Sequence, residues 1–243
     1  MTDTQDTKPD VLRNLERVGI VNLKTLIETN WKGSNYRFAP DIEITIDLEK
    51  DRKGIHMSRL IESITESVEE ETRDPAKSIE EIEKKILENL SRKHPYNSGE
   101  VKMVLDFFVE RQTPKTGKPT LEAHKAAVIV SKDEEGFSKR LWVRVLGNTS
   151  CPHSTQTCGK PHIQRAIGEL TVEATIDSEI NLEDMITVVE ESFSSPVYTL
   201  LKTSDEVKVV EKMYANPKFV EDVVRGMLEK SQKRFKNCKI KAK

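Results

Sequence analysis

Three long strand-like segments in a row, Val101 to Arg111, Leu121 to Lys132 and Ser138 to Leu146, constrain this chain more than any other feature. Their connections, Thr113-Pro-Lys-Thr-Gly-Lys-Pro119 and Asp133-Glu-Glu-Gly136, are short and rich in turn formers, so consecutive strands pair antiparallel. A fourth strand lies within Phe38 to Leu48, where Ile42, Ile44, Ile46 and Leu48 alternate with Asp41, Glu43, Thr45 and Asp47. That period of two belongs to a half-buried strand. Two helices follow it. Ser58 is placed to cap the first, which carries Leu60, Ile61, Ile64 and Val68 through Glu71. Ser78 opens the second, through Arg92, with Glu81 at capping-box spacing and Ile79, Ile82, Ile86 and Leu90 as the buried stripe. Upstream, Met1 to Asp10 reads as loose and Val11 to Asn30 as a short helical lead-in or docking arm. Downstream come a strand from Gln164 to Ile176 and a helix from Leu182 to Phe193 capped by Asn181. Helices over Glu206 to Met213 and Pro217 to Gln232 follow, with Pro217 in a first turn, and a strand starts at Lys239. A meander with blocks of helices, rather than regular alternation, is an α+β architecture. The order of elements suggests two related halves.

At 243 residues with 36% hydrophobic content, the chain can build a core without covalent staples. Three cysteines leave an odd thiol under any pairing, and no apolar leader follows Met1, which together point to the cytoplasm. No apolar run reaches membrane-spanning length. A formal charge of -2 provides no basic field for non-specific nucleic-acid binding.

Chemistry concentrates in Cys151-Pro-His153-Ser-Thr-Gln-Thr-Cys158-Gly-Lys-Pro-His162, which holds two of the three cysteines and two of the five histidines. Three readings are open. Cys151, His153, Cys158 and His162 can close a structural zinc shell; two or three of them can bind a catalytic metal completed by an acid from elsewhere; or the segment is a polar loop whose side chains only pack. His56, in Asp51-Arg-Lys-Gly-Ile-His-Met-Ser-Arg59, sits between a strand and a helix. It is either an ordinary surface histidine or part of a phosphate-receiving cluster with Arg52, Lys53 and Arg59. The acids around Ser204-Asp-Glu206 and Phe219-Val-Glu-Asp222 are not singled out by pattern, because most acids on amphipathic helices face water.

Taken together, Asp51–Arg59, the Cys151-Pro loop, Pro161-His-Ile-Gln-Arg165, Leu200-Leu-Lys-Thr-Ser-Asp-Glu206 and Asn216-Pro-Lys-Phe-Val-Glu-Asp222 resemble the type IB GTP cyclohydrolases, a family that includes archaeal MptA-type enzymes. The resemblance implies a tunnelling fold: two tandem units of antiparallel sheet and helices, assembled as a homo-oligomer, expected to be a tetramer, around a barrel with sites between subunits. On that division residues 1–35 form an N-terminal arm, 36–135 the first unit and 136–243 the second, which carries the metal loop. The family continues past the last helix into a His-rich segment, so the second unit is expected to be shortened at Lys243. One divalent metal per subunit is implied, Fe²⁺ first with Mn²⁺ or Zn²⁺ as alternatives, on Cys151, His162 and Glu206. Glu221 falls on the guanine-anchoring position, with Arg59 and Arg165 as further substrate-binding residues. His56 and His153 are the candidates for proton transfer, because an imidazole titrates near working pH. The family's loop commonly reads Cys-Pro-Cys, and here His153 stands third. The implied reaction opens the imidazole ring of GTP at C8, releases formate and gives a dihydroneopterin phosphate, as the cyclic phosphate or the triphosphate. Two other expectations stand beside it. One is another tunnelling-fold purine or pterin enzyme, such as a nitrile reductase with a nucleophilic cysteine; the other is a non-catalytic, zinc-stabilised oligomeric binding module.

Overall fold

The computed structural model describes residues 3–31, 34–73 and 78–243. These fall into two compact units, Met1–Leu105 with Ala127–Arg140 and Thr175–Asp177, and Asp106–Ala126 with Leu141–Ala174 and Ser178–Lys243.

The first unit contains β1 (Leu15–Lys24), a hairpin of β2 (Ile27–Trp31) and β3 (Ser34–Phe38), β4 (Asp41–Leu48), α1 (Met57–Arg73) and α2 (Ile79–Lys93). It also takes its share of three long strands, β5 (Gly99–Gln112), β6 (Pro119–Asp133) and β7 (Gly136–Ser150). Strand order is β1-β4-β5-β6-β7. β4 is antiparallel to β5, with Ile42 opposite Met103 and Ile44 opposite Val101. Ile42, Ile44, Ile46 and Leu48 are buried as their alternation requires, against Leu60 and Ile64 of α1 and Ile82, Ile86 and Leu90 of α2. Each such side chain withdrawn from water contributes about 1.5–3 kcal/mol. A buried polar tie joins the helices, where Asn89 Nδ2 donates to Ser67 Oγ at 2.9 Å.

The helical lead-in expected over Val11 to Asn30 is instead β1 and β2. β1 pairs antiparallel with β4, but its register shifts between Leu15 and Val18 and again between Ile20 and Leu23, where Asn22 takes a φ of 57°. The irregularity turns the inward positions into Val18, Ile20 and Leu23, which all pack against the core. A bulge inserts one residue and so replaces the period of two with a step of three, which imitates a helix. Other corrections are local. Ser58 lies inside α1, which begins at Met57, whereas Ser78 does cap α2 by accepting from Glu81 N at 3.3 Å.

The second unit adds α3 (Pro152–Cys158), β8 (Ile163–Thr175), α4 (Leu182–Glu190), β9 (Ser195–Pro196), α5 (Thr203–Ala215), α6 (Val220–Arg234) and β10 (Lys239–Ala242). Its order is β5-β6-β7-β8-β10, with β9 against β7. β10 runs antiparallel to β8, from Lys239 opposite Glu173 to Ala242 opposite Leu170. Asn181 caps α4, accepting from Glu183 N at 3.0 Å. α4 packs on α6, which begins at Val220, three residues later than the first turn expected at Pro217. Phe193, buried after α4, lies across the backbone of β7 and β8. A Cβ on Gly147 would stand 2.1 Å from its Cδ2, and one on Gly168 would stand 3.2 Å from its Cζ. Glycine is what lets the ring approach this closely. Beside it, buried Glu190 accepts from Arg111 Nε at 2.9 Å, pairing the end of β5 with α4. No helix among the described residues is long and apolar enough to cross a membrane.

Candidate active site

Strand β7 runs to Ser150, well beyond the expected end at Leu146, and delivers Cys151. Ser150 is a three-way junction with no exposed surface. Its N–H donates to Ser194 Oγ at 3.1 Å, its hydroxyl donates to the Met213 carbonyl at 2.6 Å, and its carbonyl accepts from Lys218 N at 2.9 Å. The end of α5 and the approach to α6 are thereby fixed next to Cys151. Asn216 and Lys218 reinforce the junction: Asn216 Nδ2 donates to the carbonyls of Phe193 and Ser194, and Lys218 Nζ donates to that of Ser192 at 2.9 Å. Burial, then Lys230, pushes the Lys218 ammonium below the usual lysine range.

Within the segment from Cys151 to His162, Pro152–Cys158 form a short helix, α3, rather than an open loop. Cys151 is its N-cap and Pro152 its first residue, a position that has no N–H to satisfy. Gly159 ends it with a φ of 70°, the left-handed C-cap that glycine adopts without penalty. The ends are clasped, since Cys151 N donates to the His162 carbonyl at 3.0 Å and His162 N donates to Ser154 Oγ at 2.9 Å. Cys151 is half-buried, and His153, Cys158 and His162 are exposed. Cys158 Sγ lies 3.1 Å from the Ser154 carbonyl of its own helix.

Glu206 and Glu221 occupy the first turns of α5 and α6, and Arg165 lies on β8; all three are exposed. The residue before Glu206 is committed to structure. Buried Asp205 accepts from Lys115 N at 2.9 Å, from Thr116 N at 2.7 Å, from Thr116 Oγ1 at 2.8 Å and from Lys202 N at 3.1 Å. Burial pushes this carboxyl up, but hydrogen bonds from Thr116, Lys115 and Lys202 outweigh it and hold the group well below the usual carboxylate range. The β5–β6 turn is thus bolted to the start of α5, and Glu206 stands on a fixed helix end.

His56 and Arg59 belong to the first unit. Arg59 Nη1 donates to the Lys93 carbonyl at 3.2 Å, at the end of α2. His56, with a side chain 11% exposed, has Nδ1 3.6 Å from Asp3 Oδ2, and its ring meets His94 edge-on at 5.9 Å between centroids. His94 is buried, and burial, followed by Arg52, Arg59 and His56, pushes it below the usual histidine range, so it is neutral at pH 7.

Cys151, His162 and Glu206 supply a thiol, an imidazole and a carboxylate, a donor set that suits Zn²⁺ or Fe²⁺. The clasp at 3.0 Å keeps the first two residues adjacent. Glu206 is not brought to them. The hydroxyl of Ser150 meets α5 at Met213, and Glu206 lies two turns nearer the other end, about 10 Å along the axis. Among the described residues, the one group of three or more donors with ligand atoms within 4.8 Å of one another is Asp3, Asp6 and His56. The three donor types alone fit a divalent metal, and of the three residues only Cys151 and His162 are joined, through their backbones.

Sequence reasoning did not single out Ser150, Asp205, Lys218, His94 or Asp3. Lys218 lies inside a recognised motif, but what it does depends on carbonyls from a distant segment.

Comparison with known proteins supports the assignment of family. GTP cyclohydrolase MptA of Thermococcus kodakarensis is 51% identical over 240 residues, covering 96% of this chain and 90% of that protein. The enzyme of the same name from Methanosarcina mazei is 32% identical over 272 residues, covering 98% and 86%. In fold alone, the chain is similar to a uricase from Bacillus fastidious (TM-score 0.54, 10% identity, 93% of this chain and 83% of that one) and to one from Arthrobacter globiformis (0.51, 9%, 91% and 78%). Residues 1–243 match the family described as type I GTP cyclohydrolase folE2, and the chain belongs to that family.

Proposed function

We propose that this protein is a GTP cyclohydrolase, hydrolysing the guanine imidazole ring at C8 with release of formate to give a 7,8-dihydroneopterin phosphate for pterin synthesis. The observation that carries the reading is the clasped Cys151–His162 segment, set at the Ser150 junction beside the approach to α6, in a chain that matches the family from end to end.

Each residue's part follows from its chemistry. Glu221, exposed on the first turn of α6, accepts two N–H donors from the guanine edge, a pairing that specifies the base and orients C8. Arg59 and Arg165 receive phosphate oxygens, for which guanidinium is suited by charge and shape. His56 and His153 exchange protons as the ring nitrogen departs and the product recyclises. Cys151 and His162 would hold one divalent ion, Fe²⁺ first with Mn²⁺ or Zn²⁺ as alternatives, with Glu206 as the third donor that the family pattern supplies; such an ion would acidify a water enough to supply hydroxide near neutral pH. The antiparallel sheets and helices support a tunnelling fold, and the family pattern implies its assembly as a homo-tetramer with sites between subunits. Three free thiols and no basic field support a cytoplasmic enzyme acting on a small molecule rather than on nucleic acid or a membrane.

The test is anaerobic reconstitution with each divalent metal, incubation with GTP, and identification of the pterin by mass. A dihydroneopterin product supports the reading, and its mass separates the cyclic phosphate from the triphosphate. No pterin with any metal contradicts it.

A further inference from the structure

The N-terminal residues, read from composition as loose, are a built part of the first unit. Thr4–Asp6 form a single 3-10 turn whose backbone is tied to the segment before α1. Lys53 N donates to the Gln5 carbonyl at 3.0 Å and to that of Thr7 at 2.8 Å, and Gly54 N donates to Gln5 at 3.3 Å. Thr7 Oγ1 closes the turn on the Thr4 carbonyl at 2.7 Å. The consequence falls two residues further on, at His56. The strapped turn carries two carboxylates, Asp3 and Asp6, to within 4.8 Å of each other and of a ring nitrogen of His56.

We infer that Asp3 is a positioning residue for His56, holding the imidazole from its Nδ1 side so that Nε2 is the nitrogen left to exchange a proton with substrate. The inference rests on the proton-transfer role proposed for His56. A carboxylate on one ring nitrogen sets which nitrogen carries the proton and fixes the plane of the ring. Asp3 Oδ2 stands 3.6 Å from Nδ1, an ion-pair separation longer than a hydrogen bond. The other walls do not compete for that role. His94 meets the ring edge-on and has no hydrogen-bond partner at its own Nδ1. Arg59 donates to the Lys93 carbonyl through one nitrogen, Nη1, and Arg52 lies close enough to His94 to disfavour its protonation. Asp6 acts in the opposite sense on His94, favouring the cation. Around the His56–His94 pair stand two carboxylates, Asp3 and Asp6, and the guanidinium groups of Arg52 and Arg59. Of these, the pair contact at Nδ1 is with Asp3.

Asp3→Asn keeps the size and the backbone strap but removes the charge. In the metal-loaded full chain it should lower kcat on the order of ten-fold and leave KM for GTP essentially unchanged. Asp3→Glu should restore part of the rate. Nitrogen NMR of the zinc-loaded protein gives a readout independent of turnover, in which His56 shifts its tautomer balance in Asp3→Asn but not in Asp6→Asn. If His56→Ala is impaired while Asp3→Asn keeps wild-type kcat and tautomer balance, the inference is overturned and the role of His56 stands. If His56→Ala retains full kcat, that role and the inference fall together.

Discussion

The Asp205 carboxylate holds Thr116 twice, Oδ1 accepting from its N–H at 2.7 Å and Oδ2 from its hydroxyl at 2.8 Å. One buried side chain thereby fixes both the β5–β6 turn and the helix end that presents Glu206. Asp205→Ala leaves Thr116 N, Lys115 N and Lys202 N without their acceptor, and a lower melting temperature and weaker metal retention are expected. Because the folded group titrates below its unfolded range, its contribution is fully present above that range and is lost as pH falls. Thermal melts across acid pH should show the variant's deficit shrinking.

Glu83 makes the opposite prediction. It is buried among the core residues of the first unit with no well-aligned hydrogen bond to either carboxyl oxygen, and burial, then Glu80, pushes it well above the usual 4.5. Folded protein holds this proton more tightly than the unfolded chain does, so stability falls as pH rises from 4.5 toward the raised value. Glu83→Met, similar in volume and without the polar head, should stabilise the protein by about 1–3 kcal/mol at pH 7, read by denaturant unfolding. Its stability should also depend less on pH over that interval.

Gly147 has no room for a methyl group beneath Phe193. Gly147→Ala should cost about 1–3 kcal/mol of stability by overpacking. Adding Phe193→Leu should make the Gly147→Ala step cheaper than it is with Phe193 present, and a double-mutant cycle measures that coupling.

Glu221→Ala should leave bound metal unchanged, as measured by elemental analysis, and lower kcat/KM for GTP by roughly 10- to 100-fold, the loss of a charged acceptor from two N–H donors. Cys151→Ala should instead lose metal and turnover together.

How legible these features were depended on whether they were local. β4 was readable because its alternating isoleucines face a core that lies wholly on one side, and Asn181 and Ser78 were readable because a cap lies within a few residues of what it caps. β1 was not, because the bulge near Asn22 erased its period. In the candidate site, the grouping of Cys151 with His162 could be read from twelve neighbouring residues. The clasp between them could not, because it uses a backbone N–H and a backbone carbonyl, which every residue except proline has. The Ser150 junction and the contact between Asp3 and His56 join segments far apart in sequence, through polar residues whose composition suggests only surface.

The most direct test of the account is a formate assay on GTP isotopically labelled at C8, with the metal-reconstituted wild-type protein beside Cys151→Ala. The account predicts one labelled formate for each pterin formed by the wild type and none above background from the variant. Turnover of GTP that leaves the label in the product, or equal formate release from Cys151→Ala, would contradict it.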